Sequence, residues 1–128
     1  MAYPTGSGSE ILRRGTVHGL GSDSTALLFN GADNTTLNQE TNAVPALHII
    51  TILSITFENE SSGADQFYMK TNIGGNVIYI LKAVDVPTND TFVFSDKIVL
   101  IGGDKLIVNC TSGSNLDVYY TYIDQDWT

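Results

Sequence analysis

The chain alternates apolar and polar positions at period two over most of its length, and no stretch repeats apolar residues at helical spacing. The clearest run begins after Pro45. Leu47, Ile49, Thr51, Leu53, Ile55 and Phe57 would share one face of a strand, and His48, Ile50, Ile52, Ser54, Thr56 and Glu58 the other. Its first half is apolar on both faces, as expected of a central strand covered by the core on one side and by a partner, or a loop of its own chain, on the other. Shorter runs predict strands over 11–18, 25–30, 66–73, 76–82, 91–94, 97–101, 105–111 and 116–123. Gly74-Gly75 permits positive φ at both positions of a two-residue turn, so the runs on either side are predicted to form an antiparallel hairpin. Turn-forming clusters at 19–23, 60–64, 86–90, 102–104 and 112–115 recur at the rhythm of a sandwich, and 30–42 reads as a long polar contact loop. The expectation is all-β: a single-domain antiparallel β-sandwich, jelly-roll-like, of about eight strands. A meander barrel is the alternative. The predicted core contains Leu47, Ile49, Leu53, Ile55, Phe57, Val77, Tyr79, Leu81, Leu106, Val108 and Val118.

Composition agrees with strands. Thr, Ile and Val number 14, 12 and 9 against 7 Ala, and 128 residues suit one core. Residues 1–10, rich in Gly, Ser, Thr and Pro, read as an extended N-terminal arm ahead of a sandwich domain over 11–128. The net charge is −8 with six scattered Lys and Arg, so no basic footprint exists for phosphate. Neither nucleic acid nor a membrane surface is an expected partner. The longest apolar stretch, 46–57, is interrupted by His48, Thr51, Ser54 and Thr56, and residues 1–20 lack the apolar centre of a signal peptide. Cys110 is the only cysteine, which excludes an intrachain disulfide and suits a reducing cytosol. Four Asn-x-Ser/Thr sites, at Asn34, Asn59, Asn89 and Asn109, read as ordinary turn and strand residues.

No catalytic constellation stands out, and the expectation is a non-enzyme without a cofactor or metal. His18 and His48 lie thirty residues apart with no ligand spacing, and they read as packed or interface histidines. Asp23, Asp33, Asp85, Asp90, Asp96 and Asp104 fall at predicted turns, where Asp bonds its own backbone. Asp124-Gln125-Asp126 is the nearest approach to a calcium motif. Gly102-Gly103-Asp104-Lys105 lacks the spacing of a phosphate loop. Tyr119, Tyr120, Tyr122 and Trp127 crowd the last ten residues. Alternation lets only half of the tyrosines face the core, so Tyr3, Pro4, His48, Tyr119 and Trp127 are the interface candidates.

Val44-Pro45-Ala46 before a long alternating strand, then the segments 86–93 (VPTNDTFV), 100–106 (LIGGDKL) and 118–123 (VYYTYI), resemble small β-sandwich virion proteins of tailed bacteriophages. The resemblance spans about residues 44–123. It implies a virion structural protein made in the host cytoplasm. The part it implies first is a capsid decoration or cement protein that binds the outer shell as a homo-oligomer, a trimer in the simplest case. The implied partners are its own copies and the major capsid protein or another virion protein. A neck, tail or fibre component is the alternative, and a small glycan-binding jelly roll is the second.

Overall fold

The computed structural model describes residues 8–112 and 116–128. It contains nine strands and, among the described residues, no helix: β1 (Ser9–Leu20), β2 (Thr25–Ala26), β3 (His48–Asn59), β4 (Asp65–Ile73), β5 (Asn76–Val86), β6 (Thr91–Phe94), β7 (Ile98–Ile101), β8 (Lys105–Cys110) and β9 (Leu116–Asp126). The pairs are nested and antiparallel: β1 with β9, β2 with β8, β3 with β6 and β7, β4 with β5. One long ribbon therefore folds over on itself, and the fold-over lays β3 beside β9 and β4 beside β8. A first sheet, β1-β9-β3-β6 with β7 also on β3, packs on a second, β2-β8-β4-β5. This is a jelly-roll sandwich, the class that the period-two pattern predicts.

The core lies between the sheets. Phe57 of β3 stacks on Phe67 of β4 with ring centroids 3.8 Å apart, and Ile50, Ile52, Ile55, Met69, Leu106, Val108 and Val118 are buried around them. Each such side chain contributes about 1.5–3 kcal/mol by leaving water. Of the predicted core, Ile55, Phe57, Leu106, Val108 and Val118 are buried there, and Leu81 is half-buried against it.

The other five predictions are corrected. The register of β3 against β9 shifts between Ile52 and Ser54, so Leu53 is an extra residue that breaks the period-two count. Ile50 and Ile52 therefore join Ile55 and Phe57 inside, while Ile49 and Leu53 are only half-buried and Leu47, with φ of 61°, is exposed. Val77 and Tyr79 are 50% and 48% exposed, because β5 is an edge strand whose glycine-turn end carries little on either side. Boundaries also differ. β1 starts at Ser9 rather than Ile11 and runs through Gly19 to Leu20, and β9 runs on past Ile123 to Asp126. β2 ends at Ala26, although Leu27 and Phe29 beyond it are buried, and Asp85 lies inside β5, where it accepts from Gln66 at 2.8 Å rather than forming a turn.

Tyr120 organises the region where the two sheets and the 27–45 crossover meet. Its phenol donates to the Leu28 carbonyl at 2.6 Å and accepts from Asn34 Nδ2 at 2.7 Å. Asn34 in turn donates to the Thr16 carbonyl from Nδ2 and accepts from Leu28 N. Phe29 meets Tyr120 and Tyr122 edge-on, with centroids 5.9 and 5.1 Å away. Gly15 lies opposite Tyr120 in the ladder, and a Cβ there would run into the phenol ring.

Burial raises the Tyr120 and Tyr122 phenols above their ordinary values. In the unfolded chain a phenol ionises near pH 10, whereas in the fold burial makes each of the two hold its proton to higher pH. The unfolded state thus binds fewer protons above that pH, and stability, fully present below about pH 10, falls as pH rises beyond it. The slope is at most about 1.4 kcal/mol per pH unit for each phenol. Urea unfolding at pH 8 and pH 11 is expected to show this loss in the parent chain and a smaller one in Tyr120→Phe. At pH 8 that variant is expected to be about 1–3 kcal/mol less stable, because the Leu28 carbonyl and Asn34 amide lose their partner.

Candidate functional site

Strands β1, β9, β3 and the β6/β7 edge present the outer face of the first sheet, and register places its side chains in cross-strand rows. Leu12, Ile123, Thr51 and Val99 form one row across four strands. Leu12 is 70% exposed and Val99 61%. Glu10, Gln125, Ile49 and Ile101 make the neighbouring row towards the end of β9. Arg14, Thr121 and Ser54 make the next row on the other side, where the Ser54 and Thr121 hydroxyls share a 3.1 Å hydrogen bond. Beyond it stand Thr16, Tyr119, Thr56 and Val93, and then Asp117, Glu58 and Thr91. The face thus carries a row with exposed aliphatic ends, flanked by Glu10 and Gln125, in one half, and mostly polar side chains around a central aromatic ring in the other.

At the apolar end, three strands are tied by one buried carboxylate. Asp124 Oδ1 lies 2.7 Å from His48 Nδ1 on β3, and Asp124 Oδ2 accepts from Arg13 Nε on β1 at 3.1 Å. A carboxylate only accepts, so the hydrogen sits on Nδ1. His48 Nε2 faces Asp126 Oδ1 at 3.4 Å, and hydrogen bonds from Thr128 hold the Asp126 carboxyl below its usual range. Asp124 therefore orients the imidazole through Nδ1, and the ring has no hydroxyl or thiol partner among the described residues. This geometry holds strands together; it presents no nucleophile. Trp127 closes the same end, with its backbone N–H on the Leu47 carbonyl at 3.0 Å and its half-buried indole against Gly8.

The sequence-predicted interface residues separate accordingly. Tyr119 stands open on the sheet, His48 is half-buried beside Asp124, Trp127 is half-buried against Gly8, and Tyr3 and Pro4 lie outside the described residues. The tyrosine alternation holds, with Tyr120 and Tyr122 buried and Tyr119 46% exposed. Sequence reasoning missed Asp124 as a strand tie and Asp65 as a hub, where Oδ1 accepts from Gln66 N, Thr111 Oγ1 and Ser112 N. An acid placed on the inward phase of a strand was the available signal for Asp124. Two sequons are occupied structurally, since the buried Asn34 and Asn59 amides are spent on internal hydrogen bonds. Among the described residues, no three His, Cys, Asp or Glu side chains converge to hold a metal ion.

No family model matches the chain, and no curated protein sequence does either. Among solved structures it is similar to Eiger TNF from S. frugiperda, at 12% identity and a TM-score of 0.35, over 91% of this chain and 92% of that one.

Removing the Asp124 carboxylate leaves Arg13 and His48 without their shared acceptor. Asp124→Ala is expected to lose about 2–3 kcal/mol of unfolding free energy, the scale of hydrogen bonds to a charged group, whereas Asp126→Ala, which changes an exposed group, should stay near the parent. Parallel urea denaturation of the two variants checks this.

Proposed function

We propose that this chain is a structural assembly protein that works as a homo-oligomer, and that its setting is the bacteriophage virion, where it decorates or cements the outer capsid shell. The observation that carries self-association is the uncharged row Leu12, Ile123, Thr51, Val99 on the outer face of the first sheet. The outer face of an antiparallel sandwich ordinarily alternates to polar residues. Here the two most exposed members of the row are aliphatic. In a chain of net charge −8, copies repel one another at long range, and an uncharged strip is where they can meet with least electrostatic cost. Covering a Leu or Val side chain contributes about 1.5–3 kcal/mol, so a few such contacts per copy suffice when many copies bind one lattice. The resemblance of residues 44–123 to small virion sandwiches supports the setting.

Light scattering on the purified chain is expected to return a multiple of 13.8 kDa. Leu12→Asp or Val99→Asp, each placing an unpaired charge in the row, should weaken self-association about tenfold or more and shift the mass towards monomer without unfolding the sandwich. A monomeric parent chain would remove the reading. Counting copies in purified particles separates shell decoration, which needs many, from a neck, tail or fibre part, which needs few; absence from particles would remove the virion setting.

A further inference from the structure

The other half of the same face is built for a different ligand. Thr16 of β1 and Thr56 of β3 stand directly opposite Tyr119 of β9 on either side, and one row along Glu58 stands opposite Asp117. With His18 they line an open groove of about 240 Å3. Threonine is short, so neither neighbour covers the Tyr119 ring in mid-sheet. Asp117 Oδ1 accepts from Gly19 N and lies against His18 Nδ1, each at 2.9 Å. Glu58 is exposed and has no hydrogen-bond or ion-pair partner among the described residues.

We propose that this groove binds a saccharide, with one pyranose ring on Tyr119 and its hydroxyls on Glu58, Asp117, Thr16 and Thr56. A pyranose has an apolar C–H face and a rim of hydroxyls that both donate and accept. Its complement is an aromatic platform ringed by carboxylate acceptors and side-chain hydroxyls, and this groove supplies both. The volume falls below the roughly 300 Å3 at which drug-sized pockets begin, which suits a single ring. A cationic side chain fits less well, because Gly19 N–H and His18 already answer Asp117 Oδ1 and leave Glu58 as the groove's one carboxylate with no partner among the described residues, whereas a hydroxyl needs only the remaining Asp117 Oδ2 as an acceptor. A second copy of the chain fits less well too, since a dry contact would bury Glu58 and two threonines without partners. One shallow groove of this kind binds in the millimolar range. Strong attachment then rests on the oligomeric reading above, through many grooves acting together.

The test is saturation-transfer NMR on the full chain with methyl glucoside, methyl galactoside and methyl N-acetylglucosaminide in turn. At least one is expected to receive saturation. Tyr119→Ala should weaken its binding about tenfold, Glu58→Gln should weaken it as well, Tyr119→Phe should retain it, and Val77→Ser on the second sheet should leave it unchanged. The Val99→Asp chain should still bind, so failure of self-association and failure of sugar binding are read separately. No transfer to any of the three sugars overturns the proposal, as does transfer that survives both Tyr119→Ala and Glu58→Gln. Selective shifts of the Tyr119 ring by N-acetyl-arginine amide, with none from the sugars, would assign the groove to a cation and also overturn it.

Discussion

A phenol placed inside a hydrocarbon core must find both a donor and an acceptor, and much of this fold is arranged around that requirement at Tyr120. The Leu28 carbonyl and the Asn34 amide satisfy it, and both belong to the crossover between β2 and β3. The crossover is thereby fastened across the end of the sandwich, and Asn34 extends the tie to β1 through the Thr16 carbonyl. Gly15 is needed for the same reason, since the ladder brings β1 onto the ring where no Cβ fits. A segment of polar residues that reads as a contact loop is therefore partly a structural strap.

How far residues announced this arrangement depends on what each signal measures. Alternation reports which positions differ from their neighbours, and in β9 it selects Val118, Tyr120 and Tyr122 correctly, whereas in β8 it selects Leu106 and Val108 but not Ile107, which is buried from the other phase. It fails in β3 because Ile49-Ile50 and Ile52-Leu53 are apolar in both phases, and nothing local marks Leu53 as the residue that resets the count. It fails in β5 for another reason. Residues 77–81 are apolar in both phases as well, but here an edge strand near a hairpin tip has little opposite it to be buried against, and that is a property of strand order rather than of sequence. Tyr119 was readable as an open ring because Tyr120 and Tyr122 must occupy the other phase. Asp124 was readable as an acid on an inward phase, but its partners were not, because they lie 76 and 111 residues away in the chain.

The outer face of the first sheet combines two surfaces of unlike chemistry on the same strands. Ile123 and Tyr119 lie four residues apart on β9, about 13 Å along the strand, with the Arg14, Thr121 and Ser54 row between them. Since both halves are carried by one rigid ladder, their spacing and mutual orientation are set by backbone hydrogen bonds rather than by loops. Whatever covers the apolar half holds the Tyr119 groove at a fixed angle to it.

The outermost nested pair also brings the start of β1 against the end of β9. Ser9 pairs with Asp126 at one pole of the sandwich, next to the Asp124 tie, while the Gly74-Gly75 turn is a separate, open connection. Strand ends this close can be bridged by a short linker and the ribbon opened at the glycine turn instead, giving a circular permutant with the same ladder. Opened there, the ladder would carry any fused peptide at the tip of the β4–β5 hairpin.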